Sequence, residues 1–179
     1  ATSGSDAGIS AYNAFLSRIK AQLDENGVKT TPESFPANPG VDVPEVVFEA
    51  SLEQGRDVVV TTILVDNVRT AGADFNDRYE ALSRDADMIV YNGHAGLGAN
   101  IRALARKGDW QPGQYAIVFM NGCDTYAYLD SALADAHAAV NEDDPEGTKY
   151  LDIVANAMPS MFIDMPDATS LSNNRIAHP

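Results

Sequence analysis

The chain has 179 residues, 45% hydrophobic and 21% charged, a globular composition long enough to bury roughly two-thirds of its unfolded surface in one domain. Twelve Lys and Arg against 26 Asp and Glu give a formal charge of −14, which argues against nucleic acid as a partner and would steer a basic substrate favourably. The single cysteine excludes an intrachain disulfide framework and any cysteine-rich metal site.

No apolar run approaches the roughly 20 residues that span a bilayer, so no membrane partner is expected. The sequence begins at Ala1 without Met, as a processed chain would. A soluble protein, secreted or periplasmic after removal of an export signal, fits this start, and the compartment stays open.

In chain order, Ile9, Tyr12, Phe15, Leu16, Ile19 and Leu23 recur at helical spacing until Gly27, which predicts one amphipathic helix. Residues 28–44 hold four prolines and little periodicity and read as an irregular connection. Val46, Phe48, Ala50 and Leu52 then alternate, residues 56–66 are strongly β-branched, and EQG lies between them. This is the pattern of a β-hairpin, inserted in the main sheet or at its edge. Asp74 is placed to cap a short helix carrying Phe75, Tyr79 and Leu82.

Two segments of one design follow. Residues 87–92 (DMIVYN) run into GHAGLG and a helix with Ile101 and Leu104 facing inward, and residues 115–120 (YAIVFM) run into NGCDTY and a helix over 130–140. Apolar strands that alternate with helices predict an α/β fold with parallel strands covered on both faces. In such sheets ligands bind beyond the carboxyl ends of the strands. Residues 150–158 supply a further parallel strand stopped by Pro159, after which only weak helical character remains.

His94 and Cys123 fall in matching turns, 29 residues apart, as one strand–helix–strand repeat requires. A thiol attacks a carbonyl as thiolate, and an imidazole within reach takes the proton and later delivers it to the leaving amine. The N–H groups of Ala95 and Cys123 flank the place of the scissile carbonyl and are the expected oxyanion donors. A lone cysteine is most often a small buried apolar residue. Here the glycine turn and the histidine in the equivalent turn favour catalysis.

An apolar strand ending in NGHAG, followed by an apolar strand ending in NGCD, resembles the two signature blocks of the caspase-like cysteine peptidases, the superfamily of caspases, metacaspases, legumain, separase, clostripain and gingipains. The resemblance covers residues 85–130 closely and 45–160 in element order. It implies a single peptidase domain over 1–179, open at either end, built as a three-layer sandwich around a central, mostly parallel sheet. It also implies His94 and Cys123 as the dyad, a protein or peptide substrate, no cofactor, no metal, and self-processing that would yield a second chain.

Ala95 stands where the family commonly has glycine. Members that cleave after Arg or Lys often carry an acid a little upstream of the nucleophile, at the position where this chain has Asn121, so a basic preference would rest on Asp124 or Asp66 as substrate-binding residues. Two other readings belong to different classes: a nucleotide-binding module with phosphate on the GHAGLG amides, and a caspase-like domain that binds partners without turnover.

Among the remaining candidates, His137 is expected on the solvated face of its helix, and residues 141–146 (NEDDPE) lack the ligand spacing of a calcium loop and read as a solvated turn. Trp110 reads equally as a lid or as a covered aromatic. His178 lies next to the end of the sequence.

Overall fold

Asp6 opens the first helix, α1 (Ala7–Leu23), by accepting from the N–H groups of Gly8 at 2.8 Å and Ile9 at 3.1 Å through Oδ1. Two donors that the first turn cannot bond internally are thereby satisfied. The computed structural model of the chain describes residues 6–24, 27–52 and 55–169, and His178 lies outside them. The chain forms two compact units: Asp66–Met161 is one, and the described parts of Ala1–Val65 and Phe162–Pro179 are the other.

In the unit that contains α1, strands β1 (Lys29–Thr31), β2 (Glu45–Leu52) and β3 (Arg56–Ile63) pair antiparallel in that order. The hairpin pairs in full register from Glu45 opposite Ile63 to Leu52 opposite Arg56. The apolar face of α1 closes on one face of β2, so that Tyr12, Leu16, Ile19, Val46 and Phe48 form a buried cluster with Phe35 and Val60 against it. The period-two alternation of β2 puts Val46, Phe48 and Ala50 inward, as its sequence predicts.

Three expectations are corrected here. The hairpin belongs to an antiparallel sheet in the order β1-β2-β3, distinct from the parallel sheet. The stretch 28–44 is not wholly irregular, because Lys29–Thr31 pairs with β2, Lys29 opposite Glu49. Prolines at 32, 36, 39 and 44 confine this strand to three residues, too few for any periodicity to register. Helix α2 (Ala73–Ser83) has Gly72 at its cap, and Asp74 sits inside the first turn, where its carboxylate favours the positive end of the helix dipole without capping it.

The other unit carries α2, β4 (Met88–Asn92), α3 (Ala99–Ala105), β5 (Ala116–Asn121), a 3-10 turn (Thr125–Tyr128), α4 (Ala132–Val140) and β6 (Leu151–Ala155). Its three strands are parallel, in the order β4-β5-β6, with Asn92 opposite Asn121 and Met120 opposite Ala155. Central β5 buries Ala116, Val118, Phe119, Met120 and Asn121, and Ile101 and Leu104 of α3 are buried as expected. The fold is thus α/β, with one parallel and one antiparallel sheet. No helix among the described residues is long and apolar enough to cross a membrane.

His137 is the largest departure from expectation. It is fully buried, with its ring centroid 4.5 Å from that of Trp110, itself 5% exposed. Helix α4 reads ALADAHAAV, and its alanines leave no contrast between a wet and a dry face. Leu133, four residues earlier, is buried too and marks the inward side.

Candidate active site

Because β4 and β5 are neighbours and parallel, their carboxyl ends lie side by side, and each site residue stands two positions beyond the Asn92–Asn121 pair. The two turns stay joined past the strands, since the Gly93 N–H donates to the Asn121 carbonyl at 3.1 Å. His94 is exposed and Cys123 half-buried. The carbonyl of His94 is held from below by the Tyr91 hydroxyl at 2.8 Å and by Asn100 Nδ2 at 2.7 Å. Burial pushes the Tyr91 phenol above its usual value, against smaller opposing effects of Asn100 and Arg69, which keeps it a protonated donor.

Ala95 is buried, and among the described residues neither its N–H nor that of Cys123 donates to a protein acceptor. The Ala95 nitrogen lies 3.5 Å from the point where a β-carbon on Gly122 would stand, so this donor borders the cysteine turn. By contrast, the N–H groups of Gly98, the last residue of GHAGLG, and of Ala99 and Asn100 at the start of α3 donate to the carbonyls of Ala95 and Gly96. Leu97 takes φ 51° and is 83% exposed, a conformation uncommon outside glycine.

Asp124 caps the 3-10 turn after Cys123 at φ 51°, donating its N–H to the Met158 carbonyl at 3.3 Å. Asp66 is exposed on the connection between β3 and α2. Asn121 is fully buried: its Nδ2 donates to Asn92 Oδ1 at 2.8 Å and its Oδ1 accepts from the Ser160 hydroxyl at 2.8 Å. Asn121, two residues before the cysteine, therefore ties strand ends together inside the unit.

The chain beyond β6 is a third contributor that the sequence did not single out. Asn156 Oδ1 accepts from the Gly122 N–H at 3.2 Å, its carbonyl accepts from Tyr126 N–H at 3.0 Å, and its own N–H donates to Thr125 Oγ1 at 2.9 Å. Buried Thr125 also donates to the Met120 carbonyl at 2.6 Å, pinning the turn to its strand. The carbonyl of Ser160 accepts the Cys123 thiol proton at 3.4 Å. The expected β6 held the signal for this, because a third parallel strand must deliver its following residues to the same edge.

Among the described residues no group of three or more His, Cys, Asp or Glu side chains is gathered to hold a metal ion. In the 141–146 stretch, Asp144 is not solvated as expected: it is 5% exposed and accepts from the N–H groups of Thr148 at 3.2 Å and Lys149 at 2.8 Å. Comparison of the chain with protein-family models, with curated proteins and with solved structures gave no match.

Proposed function

We propose that the chain is a cysteine endopeptidase of the caspase-like kind, with His94 and Cys123 as its dyad. One observation carries the reading. Two adjacent parallel strands end in register at Asn92 and Asn121, and the turns that follow, bonded to each other, bear an exposed imidazole and a half-buried thiol at equivalent positions.

On this reading His94 takes the thiol proton and the sulfur attacks the carbonyl carbon of a peptide bond. The oxyanion is received by the N–H groups of Ala95 and Cys123, both without another protein acceptor among the described residues. The carbon–nitrogen bond breaks as the imidazolium returns its proton to the departing amine, leaving a thioester. His94 then deprotonates a water that attacks the thioester, and the carboxylic acid leaves with the thiol restored. A protein or peptide substrate, a three-layer caspase-like arrangement and self-processing belong to the same proposal.

The phosphate-binding reading has less to draw on, because the amides at the start of α3, those of Gly98, Ala99 and Asn100, are spent on carbonyls of the GHAGLG loop. Mass spectrometry after incubation with a mixed peptide library, comparing the native chain with Cys123→Ala and His94→Ala, tests the peptidase. Cleavage by the native chain and by neither variant is expected. A native chain that cuts neither the library nor itself would sink the proposal.

A further inference from the structure

The Cys123 thiol donates its proton to the main-chain carbonyl of Ser160. Ser160 is itself anchored, its hydroxyl donating to Asn121 Oδ1, an amide that is fully buried and tied to Asn92. The preceding residues bond the same turn through Asn156 and Met158, at Gly122, Asp124, Thr125 and Tyr126. Residues 156–160 thus form a strap laid along the cysteine turn, with its last residue on the sulfur.

Only a protonated thiol can make that bond. A thiolate is an acceptor, and a carbonyl oxygen has no proton to give it. The contact must therefore open before the sulfur attacks. Little apolar packing holds the strap down, because residues 157–159 are exposed, Met158 by 73%.

We infer that Ser160 is a positioning residue for the nucleophile: its carbonyl holds Cys123 as a resting thiol, its hydroxyl on Asn121 keeps that carbonyl in place, and displacement of the strap releases the sulfur for attack. This rests on the reading of Cys123 as the nucleophile, and its test is independent of turnover.

The test is the rate at which iodoacetamide labels the one cysteine of the full chain at fixed pH, in the native protein, Ser160→Ala and Ser160→Thr. Loss of the anchoring hydroxyl should speed labelling by about 2- to 10-fold, the range one modest hydrogen bond supplies, and the threonine variant should restore the native rate. Equal or slower labelling of Ser160→Ala, or a threonine variant as fast as the alanine one, would overturn the inference. Should Ser160→Ala not fold, the native chain serves. Once Cys123 is alkylated it has no thiol proton to donate, and the Asp124 and Tyr126 amides, whose acceptors lie on the strap, should exchange with deuterium about 2-fold faster or more. Unchanged exchange overturns the inference. A chain that labels as expected but cleaves no peptide loses the peptidase reading alone, and a chain that cleaves peptides with labelling indifferent to Ser160 loses the strap alone.

Discussion

A β-carbon on Gly122 would lie 2.5 Å from the carbonyl oxygen of Gly93. The two turns that carry the candidate dyad touch backbone to backbone, and they do so because residue 122 has no side chain. Gly122 itself does not have a positive φ, so close approach, not a special turn geometry, is what requires glycine here.

Gly122→Ala should force the turns apart, because backbone cannot swing aside as a flexible side chain can. The expected loss is roughly 1–3 kcal/mol in urea unfolding, with peptide cleavage falling further than stability alone explains. Gly72→Ala is the control. Its added methyl meets nothing within 4 Å at φ −71°, and as an exchange at a helix cap it should cost under about 1 kcal/mol.

Asn121→Asp separates the interior role of this residue from a substrate-pocket role. A carboxylate there would lose the donor that Asn92 Oδ1 now receives and would be buried at a site with no exposure. Destabilisation of roughly 2–4 kcal/mol is expected, with no gained preference for cleavage after Arg or Lys. Urea unfolding and a peptide library profile of the variant check both halves.

The parallel sheet was legible because 87–92, 115–120 and 150–158 are short apolar runs, each stopped by Gly, Asn or Pro, and that pattern has few other solutions. The matching places of His94 and Cys123 followed from the same repeat. Lys29–Thr31 was not legible, since three residues become a strand only through the partner they find. The inward face of α4 was hidden by its alanines. The strap on the cysteine turn escaped notice because its side-chain-mediated bonds join groups 31 to 39 residues apart, a pairing that no local pattern encodes.

Asp144 and Asp143 are neighbours in sequence with opposite duties. Asp144 is buried and closes its turn on two main-chain N–H groups, whereas Asp143 is exposed and bonds Lys149 and the Tyr150 hydroxyl. Asp144→Ala should cost about 1–3 kcal/mol, because it strands two amides that have no side-chain substitute. Asp143→Ala removes a solvent-screened pair and should leave stability nearly unchanged, well short of the Asp144→Ala loss. Thermal or urea unfolding of the two variants in parallel measures the contrast. Equal losses would refute the assignment.

His137 should make the fold sensitive to acid. Both of its ring nitrogens lack a hydrogen-bond partner among the described residues, and burial holds its pKa below the ordinary 6.5, with the Asp144 carboxylate pulling the other way. The folded state therefore favours the neutral ring, while the unfolded chain takes up a proton near 6.5. Stability from this residue is fully present above that value. It is lost as pH falls through it, and the loss levels off only below the folded pKa, where both states are protonated. His137→Phe keeps a ring against Trp110, removes two unsatisfied nitrogens and cannot titrate. Its unfolding free energy should fall less than that of the native chain between about pH 7 and pH 5, and at neutral pH it should be as stable or more so. Urea titrations of both proteins across that range decide the matter, and an equally steep decline in the variant would assign the acid sensitivity to other groups.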